Sequence, residues 1–282
     1  MEKIVRVQHF EKTFGKEKAI KDVHFEVEKG EIFGLLGPSG SGKTTTIKVL
    51  TGELSAPSGE ISVLNYTPKQ FRDSNFKKQL GILSDNSALY ERLTVEDNLK
   101  LFCKLYEVPI NRVDEVLTNV KLLDSKKKVV SKLSKGMKQR ILLAKAIMHK
   151  PRLMFLDEPT SALDPLSVTQ IHGVLRDLRD EGITIFLTTH NMEEATVLCD
   201  RVAFLHEGVI KEIGKPDELR YKYSTGDFHI KTIDGERMVI GNKPESADEI
   251  SRLIKSKRIK RMETHYPTLG DVFVDITGKE LM

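Results

Sequence analysis

Continuous apolar runs alternate with amphipathic segments along most of the chain. The run at residues 32–36 predicts a strand, and the runs at residues 151–156 and 183–187 predict buried strands, because a parallel strand covered on both faces is apolar throughout. Ile171, Val174, Leu175 and Leu178 share the spacing of one helix face between the last two runs. Strands that alternate with helices predict an α/β fold with a mostly parallel sheet.

The first 36 residues carry a different pattern, which predicts an antiparallel N-terminal β-subdomain. Residues 4–10 mix apolar and polar side chains as a half-buried strand does, and residues 23–27 alternate clearly. A lysine and a glycine then separate this alternation from residues 31–36, which predicts an antiparallel hairpin. Residues 11–15 are predicted to be a turn that carries one aromatic side chain.

The rest of the chain predicts two further units. Helical periodicity dominates after the first strands and indicates a helical subdomain over about residues 86–147. The pattern changes beyond residue 220, where residues 228–240 predict a hairpin and residues 247–254 a helix. We therefore expect a main domain at residues 1–220 and a small C-terminal α+β domain at residues 221–282.

Composition narrows the class of protein. With 282 residues, 39% hydrophobic and 30% charged, the chain is typical of soluble globular proteins. The net charge of +4 is spread along the chain and does not call for nucleic acid as a partner. No apolar run approaches the roughly 18 residues of a membrane span, and no signal peptide is evident, so we expect a cytoplasmic protein. Cys103 and Cys199 are predicted to be buried thiols.

A glycine-rich segment lies between the strand at 32–36 and a short predicted helix, and it has the form G-x-x-x-x-G-K-[ST] of a phosphate-binding loop. Its glycines allow successive N–H groups to face one anion. Lys43 can reach the β- and γ-phosphates, and the Thr44 hydroxyl is placed to bind Mg²⁺. The alternative, a turn with a surface lysine, does not account for the strand and helix. The predicted nucleotide-binding residues here are Gly37, Pro38, Ser39, Gly40, Ser41, Gly42, Lys43, Thr44 and Thr45.

Two further predicted strands also end in polar residues. Asp157 follows an apolar run and is placed to hold Mg²⁺, while Glu158 can orient or deprotonate a water that attacks the γ-phosphate. His190 follows the strand at 183–187. Because ligands of parallel sheets bind at the carboxyl ends of strands, we expect these residues near the loop. Two solubilising carboxylates are the alternative, and the neighbouring apolar run and proline fit it poorly.

A third motif lies at the start of a predicted helix. Ser134 is a reasonable N-cap, and Gly136 would let the backbone approach an anion, so this helix start can bind phosphate. By itself the motif is weak evidence, since a serine before a helix is usually only a cap.

Taken in order, these motifs resemble the nucleotide-binding subunits of ATP-binding cassette (ABC) transporters over roughly residues 1–220. The matching segments are 37–45, 133–137, 157–158, 161–164 and His190. The resemblance implies a P-loop ATPase that uses ATP and Mg²⁺. It assigns adenine stacking to Phe14, contact with a partner's γ-phosphate to Ser134 and Gly136, and a dimer contact to Asp164. It also assigns catalytic roles to Glu158, as the base, and to His190, as the residue that senses the γ-phosphate. Ordinary packing stays open for Phe14 and His190.

The chain departs from the family pattern at two places. Lys135 and Met137 replace the first glycine and the glutamine of the usual LSGGQ signature. Asp85 stands where the family usually has a glutamine. An aspartate there can still bind Mg²⁺, so we include Asp85 with Thr44 and Asp157 as a predicted metal ligand, although it adds negative charge beside the phosphates.

The resemblance also implies a function and partners. Residues 266–273 are similar to the tail of cassette subunits from drug, peptide-antibiotic and polysaccharide exporters. We therefore expect an ATPase on the inner face of the cell membrane that drives a separate integral membrane permease, contacted through residues 86–93. One phosphate loop and one signature per chain imply a second nucleotide-binding subunit, with a homodimer expected.

Other interpretations remain open at this point. A soluble cassette ATPase acting on ribosomes or DNA is one, although such relatives usually carry two cassettes or a long coiled coil. A module that binds ATP without turnover is another, against which Glu158 and His190 argue. Residues 255–261 form a basic run that is typical of a solvated face, with contact to anionic lipid as the alternative.

Overall fold

The computed structural model describes residues 2–55, 58–84, 87–264 and 266–278. Its strands are β1 (Lys3–Phe14), β2 (Glu17–Glu28), β3 (Ile32–Leu36), β4 (Ser58–Val63), β5 (Leu80–Leu83), β6 (Leu153–Asp157), β7 (Thr184–Thr189), β8 (Arg201–His206), β9 (Val209–Gly214), β10 (Phe228–Thr232), β11 (Arg237–Ile240) and β12 (Ile259–Thr264). Its α-helices are α1 (Lys43–Leu50), α2 (Ser74–Lys77), α3 (Val95–Tyr106), α4 (Arg112–Asn119), α5 (Lys135–Ala146), α6 (Pro165–Asp180), α7 (Met192–Leu198), α8 (Pro216–Lys222), α9 (Ala247–Lys255) and α10 (Leu269–Thr277).

The continuous apolar runs form the interior of one sheet, in the order β5-β6-β7-β3-β8-β9. Neighbouring strands are parallel from β5 through β8, and β9 pairs antiparallel with β8. Every residue of β3, β6 and β7 is buried, as expected for strands that are covered on both faces. The predicted α/β fold with a mostly parallel sheet is confirmed.

A second sheet is antiparallel, in the order β2-β1-β4. This confirms the N-terminal β-subdomain, but the predicted hairpin of residues 23–27 with 31–36 is wrong. β2 alternates buried and exposed residues, whereas β3 is buried throughout and pairs with β7 and β8 instead. Gly30, with φ of 78°, turns the chain from one sheet into the other.

The predicted turn at residues 11–15 is also wrong. β1 continues to Phe14, which pairs with Glu17 of β2, and the chain reverses only at Gly15 and Lys16. Local composition suggested the turn earlier because residues 11–13 are mostly polar. Pairing with β2 keeps them extended, so tertiary context overrides the local preference here.

Side chains of β3 divide the core into two layers. Ile32 and Leu36 face the helices, while Phe33 points toward the antiparallel sheet. The ring of Phe33 stacks on Phe25 of β2 and Phe186 of β7, with centroids 5.7 and 5.6 Å away. Because such stacking adds to the buried area, it holds the antiparallel sheet firmly against the main sheet.

Helices α3, α4 and α5 occupy the predicted helical segment and pack on the helix-facing layer. Beyond α8, strands β11-β10-β12 form a small antiparallel sheet, and α9 lies between β11 and β12 along the chain. The last helix, α10, returns to contact α7 and α8, and its Leu269, Val272 and Phe273 are buried in the main core. The domain division at residue 220 stays a prediction.

The two cysteines are free and buried, as predicted. Cys199 lies below β3, where its Sγ would be 2.7 Å from a Cβ at Gly34. Among the described residues, no helix combines the length and the apolar character needed to cross a membrane.

Candidate nucleotide-binding site

The glycine-rich segment forms a loop between the end of β3 and the start of α1. Gly40 and Gly42 have φ of 79° and 111°, which L side chains rarely adopt. A Cβ at Gly42 would also lie 2.5 Å from Ile20 Cδ1. The backbone conformation therefore favours glycine there, and the loop leads directly into the positive end of α1 at Lys43.

Lys43 is held over its own loop. Its Nζ donates to the carbonyl oxygens of Gly37 and Pro38 at 2.8 and 3.0 Å, and lies 3.6 Å from Glu158 Oε1. Burial lowers the pKa of Lys43, and the negative charge of Glu158 opposes this shift. The ammonium group is thus placed among oxygen atoms, on a flexible side chain that can exchange them for phosphate oxygens.

Asp157 ends β6 and is almost fully buried. Thr44 Oγ1 donates to Asp157 Oδ2 at 2.8 Å, and the Thr188 hydroxyl donates to Oδ1. Two of the predicted metal ligands are therefore in direct contact. A hydroxyl and a carboxylate are oxygen donors of the kind that Mg²⁺ prefers, so the donor set fits that ion.

Glu158 follows in a left-handed backbone conformation, with φ of 50°. Its N–H donates to the carbonyl oxygen of Thr188 at 3.1 Å. The side chain is 22% exposed, and its Oε2 lies 2.6 Å from His190 Nδ1. Because non-glycine residues rarely adopt positive φ, the contacts with Thr188 and His190 hold a strained residue in place, as is common at functional sites.

These side chains converge on one cleft of about 400 Å³. It is lined by Ala19, Ser39, Gly40, Gly42, Lys43, Thr44, Thr45, Glu158, Ser161 and His190. The structure thus brings together most of the predicted loop residues with both predicted catalytic residues. Its lining includes neither Ser134 nor Gly136 nor Asp164 nor Phe14.

The predicted residues outside the cleft have well-defined surroundings. Phe14 is 46% exposed and therefore does not belong to the core, and Lys12 Nζ lies 5.3 Å from its ring centre. Ser134 is an exposed N-cap of α5, where its hydroxyl accepts from the Met137 N–H at 3.2 Å. Asp164 caps α6 and accepts from the Ser167 N–H and hydroxyl at 3.0 and 2.6 Å.

Gly136 has a packing role that the sequence did not suggest. A Cβ there would lie 2.0 Å from Ser167 Oγ and 2.5 Å from Ser167 Cβ. The glycine therefore allows the start of α5 to approach the start of α6. The expectation that Gly136 serves an anion is not tested by this contact, but close helix packing is a sufficient reason for a glycine.

Comparison with known proteins identifies the family. The profile of the family described as ABC transporter matches residues 20–161. A fluoroquinolones export ATP-binding protein of Mycobacterium tuberculosis is 34% identical over 99% of this chain and 94% of that protein. This chain belongs to the ABC transporter family. It is an ATP-binding and ATP-hydrolysing subunit of the exporter group, which confirms the resemblance inferred from the motifs.

Other ABC proteins agree with this assignment. The linearmycin resistance ATP-binding protein LnrL of Bacillus subtilis is 37% identical over 77% of this chain and 70% of its own length. The structure of cbiO1 from Clostridium perfringens, part of an ABC transporter complex, superposes with a TM-score of 0.72 at 28% identity, covering 79% of this chain and 92% of cbiO1. The alternative of an ATPase acting on ribosomes or DNA gains no support from these ABC relatives.

One buried carboxylate of the ABC cassette, Glu194, was not predicted from the sequence. Glu194 lies on α7 and joins three separate segments around the cleft. Its Oε1 accepts from the Thr160 hydroxyl at 2.5 Å and lies 3.0 Å from His172 Nε2, and its Oε2 accepts from the Thr189 hydroxyl at 2.8 Å. Glu194 therefore connects the loop after Glu158 with the residue before His190.

The electrostatics of Glu194 follow from these contacts. Burial favours the neutral acid, but hydrogen bonds from His172, Thr160 and Thr189 outweigh burial and lower the pKa of Glu194. The folded protein therefore favours the carboxylate form of Glu194. Glu194 lies four residues before the apolar Leu198, so the two share one face of a helix. This spacing was the sequence signal that Glu194 is buried.

Asp85, the third predicted metal ligand of the ABC cassette, lies outside the described residues, as does Asn86. Of the three predicted metal ligands, the structure therefore describes Thr44 and Asp157, which are in contact with each other.

Proposed function

We propose that this chain hydrolyses Mg²⁺-ATP in a head-to-tail dimer and thereby drives an integral membrane permease that exports its substrate. Two relatives support export, since one is a fluoroquinolones export ATP-binding protein and another is a linearmycin resistance ATP-binding protein. The observation that carries the proposal is the position of Glu158, between Lys43 and His190 and beside the contact of Thr44 with Asp157.

Nucleotide phosphates would occupy the loop at the N-terminus of α1. Lys43 would exchange the carbonyl oxygens of Gly37 and Pro38 for β- and γ-phosphate oxygens. Ser41 Oγ is buried and has no hydrogen-bond partner among the described residues, and a phosphate oxygen in the loop would supply one. Thr44 and Asp157 would hold Mg²⁺, which would neutralise charge on the phosphates.

Glu158 would then act on the attacking water. Its carboxylate faces the cleft, and His190 holds one of its oxygens at 2.6 Å. The other oxygen is free to accept a proton from water once Lys43 turns toward phosphate. His190 would orient Glu158 and donate to the γ-phosphate, so that the loss of this phosphate releases its side chain.

A second copy would complete the site. Ser134 is the exposed cap of a helix start, the end of a helix that favours anions, yet it does not line the cleft of its own chain. A solved cassette dimer bound to ADP and phosphate has a TM-score of 0.66 at 25% identity, covering 75% of this chain and 98% of that one. By analogy, Ser134 and Gly136 of one copy would face the nucleotide of the other, with Phe14 stacking on adenine and Asp164 near the dimer contact.

The proposal places the chain in the cytoplasm, on the inner face of the membrane. Residues 87–93 would contact the permease, because this segment joins the main sheet to the helical segment and Tyr90 is 60% exposed. Movement of the helices on ATP binding would reach the permease through this surface. We assign no nucleic acid partner.

The test is Glu158→Gln, with Glu193→Gln as an exposed control on α7. We expect ATP hydrolysis by Glu158→Gln to fall by about 10²–10⁴ while ATP binding persists and dimers accumulate with Mg²⁺-ATP. An unchanged rate would remove Glu158 from catalysis. If the blocked variant stayed monomeric with saturating Mg²⁺-ATP in sedimentation measurements, the shared site would be wrong.

A further inference from the structure

His9, Asp22 and His24 form an exposed cluster on the first two strands, away from the nucleotide cleft, whose lining includes none of them. One possible ligand atom from each side chain lies within 4.8 Å of the other two. Neither nucleotide binding nor hydrolysis uses these residues. The cluster contains two imidazoles and a carboxylate, the donor types found together in zinc sites.

An irregularity in β1 places His9 in the cluster. Val7 pairs with Phe25 and Phe10 pairs with Val23, so Gln8 and His9 together oppose His24 alone. This is a β-bulge, and His9 adopts φ of 50° within it. In a regular strand His9 would follow the alternation of buried Val7 and exposed Gln8 and would point into the core. The bulge turns it to solvent beside His24.

A second irregularity, in β2, places Asp22. Phe10 pairs with Val23 and Lys12 with Ile20, so Lys21 and Asp22 together oppose a single residue of β1. Asp22 also has positive φ, 54°. Two bulges on facing strands therefore each present their extra residue on the same solvent face. Bulges often redirect a side chain next to a functional site, and positive φ at two non-glycine residues costs backbone energy.

Distances within the cluster suit a small cation. Asp22 Oδ1 lies 2.9 Å from His9 Nδ1 and 3.0 Å from His24 Nε2. Ligands of a tetrahedral Zn²⁺ with bonds near 2.0–2.1 Å are roughly 3.3 Å apart, so small side-chain rotations would admit the ion.

We propose that His9, Asp22 and His24 bind one divalent transition-metal ion, with Zn²⁺ as the representative. Imidazole donors favour Zn²⁺, Ni²⁺ and Cu²⁺ over Mg²⁺ and Ca²⁺, so the site is chemically distinct from the one at Thr44 and Asp157. The three side chains are exposed, which leaves the remaining coordination position open to water. The ion would join β1 to β2 in the antiparallel sheet.

Calorimetric titration of the full chain with Zn²⁺ alone tests the proposal. His9→Asn, Asp22→Asn and His24→Gln each remove one ligand, and asparagine tolerates the positive φ at the first two positions. Gln8→Ala is the control, since it changes an exposed neighbour in the same bulge. We expect about one site per chain, weakened at least about tenfold by each ligand variant and unchanged by the control.

Two further measurements distinguish this site from others. Zn²⁺ should raise the melting temperature of the unmodified chain and of Gln8→Ala but not of the ligand variants, because only a native site stabilises the fold. Anomalous scattering at the zinc edge should place the ion between β1 and β2. Equal Zn²⁺ affinity in all variants, or zinc found only between Glu158 and His190, would overturn the proposal.

Discussion

Replacing Glu194 with glutamine tests how the cleft is held together. The substitution keeps the shape of the side chain but removes its charge. Glu194 is buried, and it accepts hydrogen bonds from Thr160 and Thr189 and pairs with His172. These three partners come from different segments, so one neutralised group weakens three tertiary contacts at once.

The size of the effect follows from these contacts. Hydrogen bonds to charged groups contribute about 1.5–3 kcal/mol to stability, and neutral ones contribute about 0.5–1.5 kcal/mol. Replacing three bonds to a charged group by three neutral bonds therefore lowers the free energy of unfolding by about 3 kcal/mol. The neutral glutamine also avoids the cost of burying a charge, which offsets part of this loss. The net decrease in the free energy of unfolding is therefore about 2 kcal/mol. At about 2.1 cal/mol/K per residue, a chain of 282 residues has an unfolding entropy of about 0.6 kcal/mol/K, so the melting temperature should fall by about 3–4 °C.

We expect the substitution of Glu194 to reduce ATP hydrolysis as well as stability. Thr160 lies two residues after Glu158, and Thr189 directly precedes His190. We expect turnover of Glu194→Gln to fall more than its affinity for ATP, because the hydrogen-bond partners of Glu194 are Thr160, His172, Thr189 and Asn191 rather than residues of the glycine-rich loop. Melting followed by circular dichroism, ATP binding and steady-state hydrolysis measure the three quantities. The control is Glu193→Gln, an exposed neighbour on the same helix.

The pH dependence provides an independent check. The pKa of Glu194 is lowered in the folded protein. Its stabilisation is therefore present above its unfolded pKa and is lost as the pH falls through the folded value. In Glu194→Gln, this part of the decrease in unfolding free energy at low pH should be absent. If Glu194→Gln melted within about 1 °C of the unmodified chain and turned over ATP normally, the three contacts would contribute nothing, contrary to the values above.

Three other changes have definite expectations. Gly136→Ala places a Cβ 2.0 Å from Ser167 Oγ and should cost about 1–3 kcal/mol in thermal unfolding, with partial recovery in the double variant with Ser167→Gly. Lys43→Ala should weaken binding of a fluorescent ATP analogue by about 10–100-fold. Hydrogen bonds from Lys100 and Lys127 lower the pKa of Glu96 to about 2. The free energy of unfolding should therefore fall as the pH drops from 4.5 toward 2. Urea titration of Glu96→Gln should show a smaller fall.

The cleft was largely predictable because its parts lie at strand ends. Apolar runs identified β6 and β7 as buried strands and β3 as a strand, and polar residues end or directly follow β6 and β7 while the glycine-rich loop follows β3. The carboxyl ends of parallel strands meet at one edge, so Lys43, Asp157 and His190 had to converge once the sheet was parallel. The spacing of glycines in the loop added the phosphate chemistry.

Strand pairing was not predictable in the same way. The segment around Gly30 has the local pattern of a hairpin, yet β2 and β3 belong to different sheets. The uninterrupted burial of β3 was the better guide, since a hairpin strand with one solvated face would alternate. Likewise, the bulges at His9 and Asp22 depend on two strands together, and neither strand reveals its bulge alone.

The active arrangement depends on contacts between neighbouring strands more than on any single motif. Asp157 of β6 pairs with Thr188 of β7, whose hydroxyl binds the aspartate and whose carbonyl oxygen accepts the N–H of Glu158. A register slip by one residue would turn Asp157 away from Thr44 and reverse every side chain of the strand. Such a slip would also displace side chains that are close-packed on both faces of β6 and β7, so packing of the apolar core disfavours it. The apolar core therefore sets the catalytic geometry, and the polar residues beyond it supply the chemistry.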